Sequence, residues 1–88
     1  RSPWPPELWP AVRRIAWCES RLDPLAVGDQ GRAWGLTQVR IDAHPDLHAA
    51  YNLLNVDDNL SAAWIIYLRA GRNFTPWACA TEYLEHQP

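Results

Sequence analysis

The chain contains two long stretches in which apolar residues recur with the period of a helix. The first predicted helix runs from about residue 7 or 9 to residue 19, after a proline-rich arm formed by residues 1–6. Glu19 lies on the apolar face of this helix, one turn beyond Ile15. A carboxylate on the apolar side of a helix is the anomaly in the pattern. The other members of that face are Leu8, Val12 and Ala16.

The second long stretch predicts the central buried helix of the fold. Asp57 or Asp58 is expected to cap it, and Gly71 supplies a stop just after Ala70. Residues 60–68 are apolar on nearly all sides, which is typical of a helix surrounded by other elements.

Two shorter helices complete the helical prediction. One begins near Pro45. The other opens at Thr75-Pro76, where a capping residue is followed by a proline that suits the first helical turn. The inner stripe of the helix that begins near Pro45 is Leu47, Ala50, Tyr51 and Leu54. The helix that opens at Thr75-Pro76 carries Trp77, Ala80 and Leu84.

Only residues 34–42 have the character of a β-strand. A turn is predicted over residues 27–31, so the strand is expected to join a small sheet or hairpin. Alternate residues of a strand share a face, which would place Gln38, Arg40 and Asp42 together. The predicted class is α+β, mostly α, with a central buried helix and a small β-hairpin or sheet, in a single domain over residues 7–88.

Charge and hydropathy exclude several classes of function. The 88-residue chain has a net charge of −2 and a pI near 5.8. It therefore has no basic field for phosphates, and nucleic acid is not an expected partner. No apolar run is long enough to span a bilayer. No signal peptide is visible and residues 1–3 are unlike a native start, so we expect a mature or excised domain, either a monomer or part of a larger protein.

The two cysteines, Cys18 and Cys79, lie at opposite ends of the domain. The small size of the chain and the absence of other sulfur-containing residues favour a disulfide over two free buried thiols. A bridge across so long a loop would stabilise the fold by about 4 kcal/mol in the chain-entropy model. Two cysteines and three scattered histidines show no metal-ligand spacing, so neither a metal nor another cofactor is expected.

Glu19 has the environment of a catalytic acid. Burial on the apolar face and the negative end of the helix dipole both disfavour its charged form. Raising the pKa of a glutamate from ~4.3 to ~6 takes only about 2.3 kcal/mol. A carboxylic acid that is protonated near neutral pH is what glycosidic cleavage needs, because the leaving oxygen must receive a proton. The competing interpretation is a solvated charge that pairs with Arg14 or Arg21.

Several motifs resemble lytic transglycosylases and goose-type lysozymes. Residues 19–26, which begin Glu19-Ser20, and residues 31–38, which end Gly35-Leu36-Thr37-Gln38, resemble the Glu-Ser … Gly-Leu-Met-Gln signature of that group. Residues 58–63 and Tyr67-Leu68 are similar to its later Asn-Ile … Tyr-Leu helix. The cysteines and their neighbours also resemble resuscitation-promoting factors, in which such cysteines form a disulfide.

This resemblance implies a lysozyme-like fold and cleavage of the β-1,4 bond between N-acetylmuramic acid and N-acetylglucosamine. It makes Glu19 the general acid and, in a transglycosylase, also the base. It makes Gln38 a sugar-contacting residue, while Ser20 braces the turn. The chain departs from the pattern at Thr37, where the group usually has Met. The tyrosine that holds the acid has no clear counterpart, and Tyr67 and Tyr83 are only candidates for it.

The product of the reaction depends on a second carboxylate. Asp29 matches an aspartate that positions water in goose-type enzymes, although it also suits a turn that bonds its own backbone. A second such aspartate is replaced here by Arg40, and Asp42 either compensates or pairs with that arginine. His44 matches a sugar-contacting histidine and equally suits the entry to a helix. Most of the six tryptophans are expected in the core; Trp34 and Trp77 are the candidate platforms for sugar rings.

The sequence therefore favours a peptidoglycan-cleaving muramidase, with a slight preference for a lytic transglycosylase over a hydrolytic lysozyme. A glycan-binding module without catalysis and a purely structural helical domain are the alternatives from other classes. Chitin is a less favoured substrate. The expected location is extracytoplasmic, in a secreted, wall-associated or phage-delivered protein.

Overall fold

A computed structural model describes residues 2–79, which form three α-helices and a three-stranded antiparallel sheet. This confirms the α+β, mostly α class with a small sheet. None of the helices in these residues is both long and apolar enough to cross a membrane. The helices are α1 (Trp9–Ser20), α2 (Pro45–Ala50) and α3 (Val56–Arg69), and the strands are β1 (Val27–Gly28), β2 (Ala33–Trp34) and β3 (Val39–Arg40), paired in the order β1-β2-β3.

Helix α1 follows a short 3-10 turn and has the predicted buried face. Val12, Ile15 and Ala16 are buried on it. The helix ends because Arg21 and Leu22 both adopt left-handed backbone angles, with φ of 58° and 62°. It therefore stops before Asp23-Pro24, a dipeptide that itself disfavours helical backbone at residue 23.

Helix α3 is the central buried helix that the sequence predicted. Its buried positions include Asn59, and the helix ends just before Gly71, which has a φ of 79°. The predicted cap at Asp57 or Asp58 is wrong. Asn55 caps the helix instead, because its side-chain oxygen accepts a hydrogen bond from the Asp58 backbone N–H at 3.0 Å.

The smaller elements differ more from the predictions. Helix α2 has six residues; Leu47 is buried, but Ala50 is exposed and does not belong to an inner stripe. Thr75 and Pro76 form a turn before the buried Trp77. Ala80, Tyr83 and Leu84, which were assigned to the last helix or to the site, lie outside the described residues.

The predicted strand over residues 34–42 is wrong in its middle. Only Trp34 and the pair Val39–Arg40 are extended within the sheet, and residues 35–38 form a turn in which Gln38 has a φ of 55°. Because the strand is interrupted, Gln38, Arg40 and Asp42 do not share a strand face. Several hydrogen bonds of the turn come from a buried side chain of α3 rather than from a neighbouring strand.

That side chain is Asn59, which is fully buried. Its oxygen accepts hydrogen bonds from the backbone N–H and the hydroxyl of Thr37, at 3.0 and 2.6 Å. Its amide nitrogen donates to the carbonyls of Trp34 and Leu53, at 3.0 and 2.9 Å. A methyl group on Gly35 would collide with this amide. Asn59 therefore fixes the turn after β2 onto the central helix.

Replacing Asn59 by alanine should lower the free energy of unfolding by about 3 kcal/mol. The substitution leaves buried backbone and hydroxyl groups without partners, and each such group costs about 1–3 kcal/mol. Urea unfolding measures the loss. Asn55→Ala is the matched control on the same helix, because losing an exposed cap costs only about 1 kcal/mol. Equal losses in the two variants would contradict the role given to Asn59.

The N-terminal arm packs on α3 through Trp4. Its ring is buried and its indole N–H donates to the Leu60 carbonyl at 2.9 Å. Trp64, Tyr67 and Phe74 surround it, with ring centroids 5.0 to 5.9 Å away. These four rings form an aromatic cluster that extends the core on the side of α3.

Candidate active site

A cleft of about 330 Å³ opens beside the end of α1. A smaller hollow next to it shares four of its lining residues and reaches His44. Together they form one groove across the sheet. The lining of the cleft is Glu19, Asp29, Ala33, Gln38, Arg40, Pro76, Trp77 and Ala78.

Glu19 reaches the cleft because α1 is fixed at its last turn. The next residue, Ser20, is buried and its hydroxyl lies 2.7 Å from the Leu36 carbonyl and 3.0 Å from the Ala16 carbonyl. The same hydroxyl accepts a hydrogen bond from the Asp23 backbone N–H at 3.2 Å. Ser20 therefore joins the helix end to the turn that carries Gln38, as the sequence predicted for a bracing residue.

A disulfide joins the two walls of the cleft. Cys18, on α1, is bonded to Cys79, with Cα atoms 6.0 Å apart, which confirms the predicted bridge. Cys79 directly follows Pro76, Trp77 and Ala78, the segment that lines the cleft opposite the sheet. Because Cys18 precedes Glu19, the bridge keeps this wall beside the carboxyl group.

Burial raises the pKa of Glu19 above its ordinary value of 4.5. The carboxyl is half-buried, and removing it from water disfavours its charged form. A hydrogen bond from the Cys79 backbone N–H opposes the shift to a smaller extent. Glu19 therefore retains its proton to a higher pH than an exposed glutamate does, and this proton lies inside the cleft.

The raised pKa of Glu19 predicts a pH-dependent cost to stability. Above its unfolded pKa the unfolded chain loses this proton while the folded protein keeps it, so the free energy of unfolding falls as pH rises through the folded pKa. The Glu19→Gln variant lacks this term. Its stability relative to the natural chain should therefore grow between about pH 4 and about pH 8. Urea unfolding at both values measures this growth, and a constant difference would contradict the shift.

Asp29 and Asp42 are both bound to Arg40. The Arg40 guanidinium lies 3.0 Å from Asp29, and Arg32 adds a second, looser ion pair to Asp29 at 3.5 Å. Arg40 also donates two hydrogen bonds to Asp42, at 3.0 and 2.9 Å. These bonds hold the pKa of Asp42 below its ordinary range. The sequence left open whether Asp42 compensates for the missing aspartate or pairs with Arg40, and the structure shows the pair with Arg40.

Gln38 lines the cleft with an amide that is already engaged. Its side-chain nitrogen donates to the carbonyls of Ala26 and Gly35, at 3.1 and 3.0 Å. Its oxygen lies so close to Gly28 that a methyl group there would come within 2.7 Å of it. The Gln38 amide therefore links the turn over residues 35–38 to the start of the sheet. Gly28 leaves room for this amide because it has no side chain.

Trp77 and His44 extend the groove away from Glu19. Trp77 is buried, and its indole N–H donates to the Thr37 carbonyl at 3.0 Å, so one part of the ring is anchored while another lines the groove. Burial, with a smaller contribution from the Arg69 charge, lowers the pKa of His44. The imidazole is therefore neutral at neutral pH and can both donate and accept a hydrogen bond.

Comparison with known proteins assigns the chain to no family. No protein-family model, no curated protein and no solved structure matches it. The functional argument therefore rests on the residues of the cleft.

Two of the predicted site residues lie elsewhere. Trp34 packs on His48 with ring centroids 5.1 Å apart, and its indole N–H donates to the Gly31 carbonyl. Tyr67 belongs to the aromatic cluster around Trp4. Neither is among the described residues that line the groove, and Tyr83 lies outside the described part of the chain.

The sequence did not predict Arg40 as a lining residue of the cleft. Its alternation with Gln38 and Asp42 was visible, but the ion pair with Asp29 depends on the pairing of β2 with β3 and the turn before them. The part of the chain that the structure describes contains no group of three or more His, Cys, Asp or Glu side chains placed to hold a metal ion.

Proposed function

We propose that the chain is a peptidoglycan-cleaving muramidase of the lytic transglycosylase type. It would act on the β-1,4 bond between N-acetylmuramic acid and N-acetylglucosamine, with Glu19 as both acid and base. The observation that carries this proposal is the half-buried carboxyl of Glu19, whose pKa is raised in a cleft lined by polar side chains and a tryptophan. Such an acid is matched to protonating a glycosidic oxygen.

Glu19 performs both proton transfers in this reaction. Its carboxyl gives its proton to the glycosidic oxygen as the bond from that oxygen to the muramic acid C1 breaks. The carboxylate then takes the proton of the muramic acid's own 6-hydroxyl, whose oxygen bonds to C1 and closes a 1,6-anhydro ring. The acid is thereby regenerated, and no water is consumed.

The arginine pairs around Asp29 and Asp42 support a single-acid reaction. Hydrolysis by inversion needs a second carboxylate that is available to activate water. Arg40 contacts both aspartates within 3.0 Å, and Arg32 holds Asp29 as well. Intramolecular attack by the sugar hydroxyl needs no second carboxylate, so it suits a site in which Asp29 and Asp42 are both paired with arginine.

The lysozyme-like fold is part of the proposal. The segments that resemble the motifs of that group meet in space, since Ser20 contacts Leu36 and Asn59 contacts Thr37. Gln38, Trp77 and His44 would contact the sugars along the groove. An extracytoplasmic location is also proposed, because the disulfide between Cys18 and Cys79 suits an oxidising compartment.

A hydrolytic lysozyme is the second candidate, because Asp29 lines the same cleft as Glu19. Release of Asp29 from Arg40 would free it to orient water. We therefore expect Arg40→Gln to raise the share of reducing-end products about tenfold, less than the 10²- to 10⁴-fold of a fully positioned general base, because Arg32 still pairs with Asp29. Mass spectrometry of the digested glycan gives this share.

Arg69→Gln is the matched control for that prediction. Arg69 also forms an exposed ion pair, with Asp46, but it lines neither part of the groove. Its replacement removes a charge that lowers the pKa of His44, but His44 takes part in neither proton transfer, so the product ratio should stay unchanged. An unchanged ratio in Arg40→Gln as well would show that Asp29 is not held back by Arg40.

The substrate class is tested by release of soluble fragments from dye-labelled polymers. The chain should solubilise purified peptidoglycan much faster than chitin of equal particle size. Equal rates would contradict the preference for muramic acid. Binding to peptidoglycan with no release from either polymer would instead favour the non-catalytic glycan-binding module.

A further inference from the structure

The outward side of α1 has a composition unlike the rest of the surface. Trp9 and Trp17 are 38% and 51% exposed. Arg13 lies between them at a spacing of four residues, so the three side chains follow one ridge of the helix. We call this set, with Pro10, the outer face of α1.

Two shallow hollows mark this outer face. One, of about 420 Å³, is lined by Trp9, Pro10 and Arg13. The other, of about 350 Å³, is lined by Pro10, Arg13, Arg14 and Trp17. Each hollow therefore combines an indole ring with a guanidinium group. None of the residues that line these hollows lines the groove at Glu19.

The charge of the outer face is opposite to that of the chain. The chain has a net charge of −2, yet Arg13 lies on this ridge and Arg21 directly follows the helix. The Arg21 guanidinium lies over the Trp17 ring, 5.1 Å from its centroid. The single acidic residue of α1 is Glu19, which faces the cleft. An anionic partner would therefore meet a locally positive surface on an otherwise acidic protein.

We propose that the outer face of α1 is a second binding surface for uncleaved glycan that bears carboxylate groups. This inference rests on the proposed function. The indole rings offer apolar surface to sugar rings, and the Arg13 guanidinium offers charge-assisted hydrogen bonds to carboxylates. Trp9 and Trp17 are eight residues apart, about 12 Å along the helix axis, so a single strand can contact both.

A membrane surface fits the outer face less well. A helix that lies in a bilayer interface needs a continuous apolar side. Here charged Arg13 stands between the two tryptophans, and no aliphatic side chain joins them along the ridge. The physical benefit of a second glycan site is different, because a strand held there raises the concentration of neighbouring bonds at the cleft.

The test measures binding with the chain made inactive by Glu19→Gln, so that the polymer stays intact. Trp9→Ala and Trp17→Ala are added together, and sedimentation with purified insoluble peptidoglycan gives the affinity. We expect a loss of at least about tenfold, because a second point of attachment can raise the affinity by 10²- to 10⁴-fold. Arg13→Gln should weaken binding to peptidoglycan but not to chitin, whose N-acetylglucosamine units carry no carboxylate. The control pair Leu25→Ala and Val27→Ala removes exposed apolar side chains elsewhere and should bind normally.

A second readout uses the active chain on short soluble glycan fragments. The double tryptophan variant should cleave these at the natural rate, because a short fragment occupies the cleft alone. Unchanged binding to insoluble peptidoglycan would overturn the inference. If the double tryptophan variant lost binding to phosphatidylglycerol vesicles alone, the outer face of α1 would be a membrane-binding surface, and the inference would again be overturned. Tryptophan-dependent binding without any cleavage by the natural chain would instead overturn the proposed function and leave this surface in place.

Discussion

Replacing Glu19 by glutamine is expected to lower the rate of glycan cleavage about 1,000-fold. Glutamine has nearly the same shape but no proton of suitable acidity, so it can neither protonate the glycosidic oxygen nor accept the proton of the attacking hydroxyl. Each positioned proton transfer typically contributes 10²- to 10⁴-fold. The side-chain oxygen of glutamine can still accept the hydrogen bond from the Cys79 backbone N–H, so the fold should persist. Initial rates of fragment release at subsaturating substrate give the change in kcat/KM.

Glu7→Gln is the matched control for this experiment. Glu7 is an exposed glutamate in the 3-10 turn before α1. Its replacement changes the net charge by the same amount and should leave the rate unchanged. A Glu19→Gln variant that retained more than about a tenth of the natural rate would contradict the assignment of Glu19 as the acid, since general acid catalysis contributes far more than that.

Removing the disulfide is expected to produce the largest loss of stability. Cys18 and Cys79 are 61 residues apart in sequence. In the chain-entropy model, a cross-link over a loop of that length lowers the entropy of the unfolded chain by an amount worth about 4 kcal/mol. The double variant Cys18→Ser, Cys79→Ser should lose that much free energy of unfolding, as measured by urea unfolding at neutral pH. This is a large part of the stability of a small domain.

The disulfide also supports the site, so its removal should lower activity under conditions where the variant is still folded. The wall formed by residues 76–78 would no longer be tethered to α1, and Glu19 would lose its fixed neighbour at Cys79. Natural chain treated with a thiol reductant should match the double variant in both stability and rate. A loss below about 1 kcal/mol would contradict the chain-entropy argument for this bridge.

The long elements of the fold could be predicted because their information is local. The buried faces of α1 and α3 follow from apolar residues at helical spacing, and Gly71 ends α3 where expected. The cap of α3 was misplaced by a few residues because three neighbouring side chains, Asn55, Asp57 and Asp58, can all cap a helix. Asp58 instead accepts a hydrogen bond from the Asn52 backbone N–H at 2.8 Å.

The extent of the strand over residues 34–42 was mispredicted because its hydrogen bonds are not local. Residues 34–42 have strand composition, but Asn59, more than 20 residues away, supplies the partners of the turn within them. A side chain that replaces a neighbouring strand leaves no periodic signal. The same limit applies to Trp4, whose indole bonds to Leu60 across 56 residues.

The candidate site divides in the same way. The unusual position of Glu19 on an apolar helix face could be recognised from the sequence. The structure brings Asp29, Gln38 and Trp77 to the same cleft. The ion pair of Asp29 with Arg40 could not be predicted from the sequence, because it forms only when the sheet is assembled. An aromatic residue on a helix or strand does not reveal which of its faces is covered. From the sequence, Tyr67 was therefore a candidate for the tyrosine that holds the acid, whereas in the structure its ring packs in the aromatic cluster around Trp4.

The central claim is that this chain breaks glycan strands with Glu19 as its acid and base. The most direct test is mass spectrometry of purified peptidoglycan incubated with the natural chain and, in parallel, with Glu19→Gln. The prediction is anhydro-muropeptides from the natural chain and none from the variant. Reducing-end products would instead assign hydrolysis and give Asp29 a part in it. Intact glycan strands in both digests would contradict the claim.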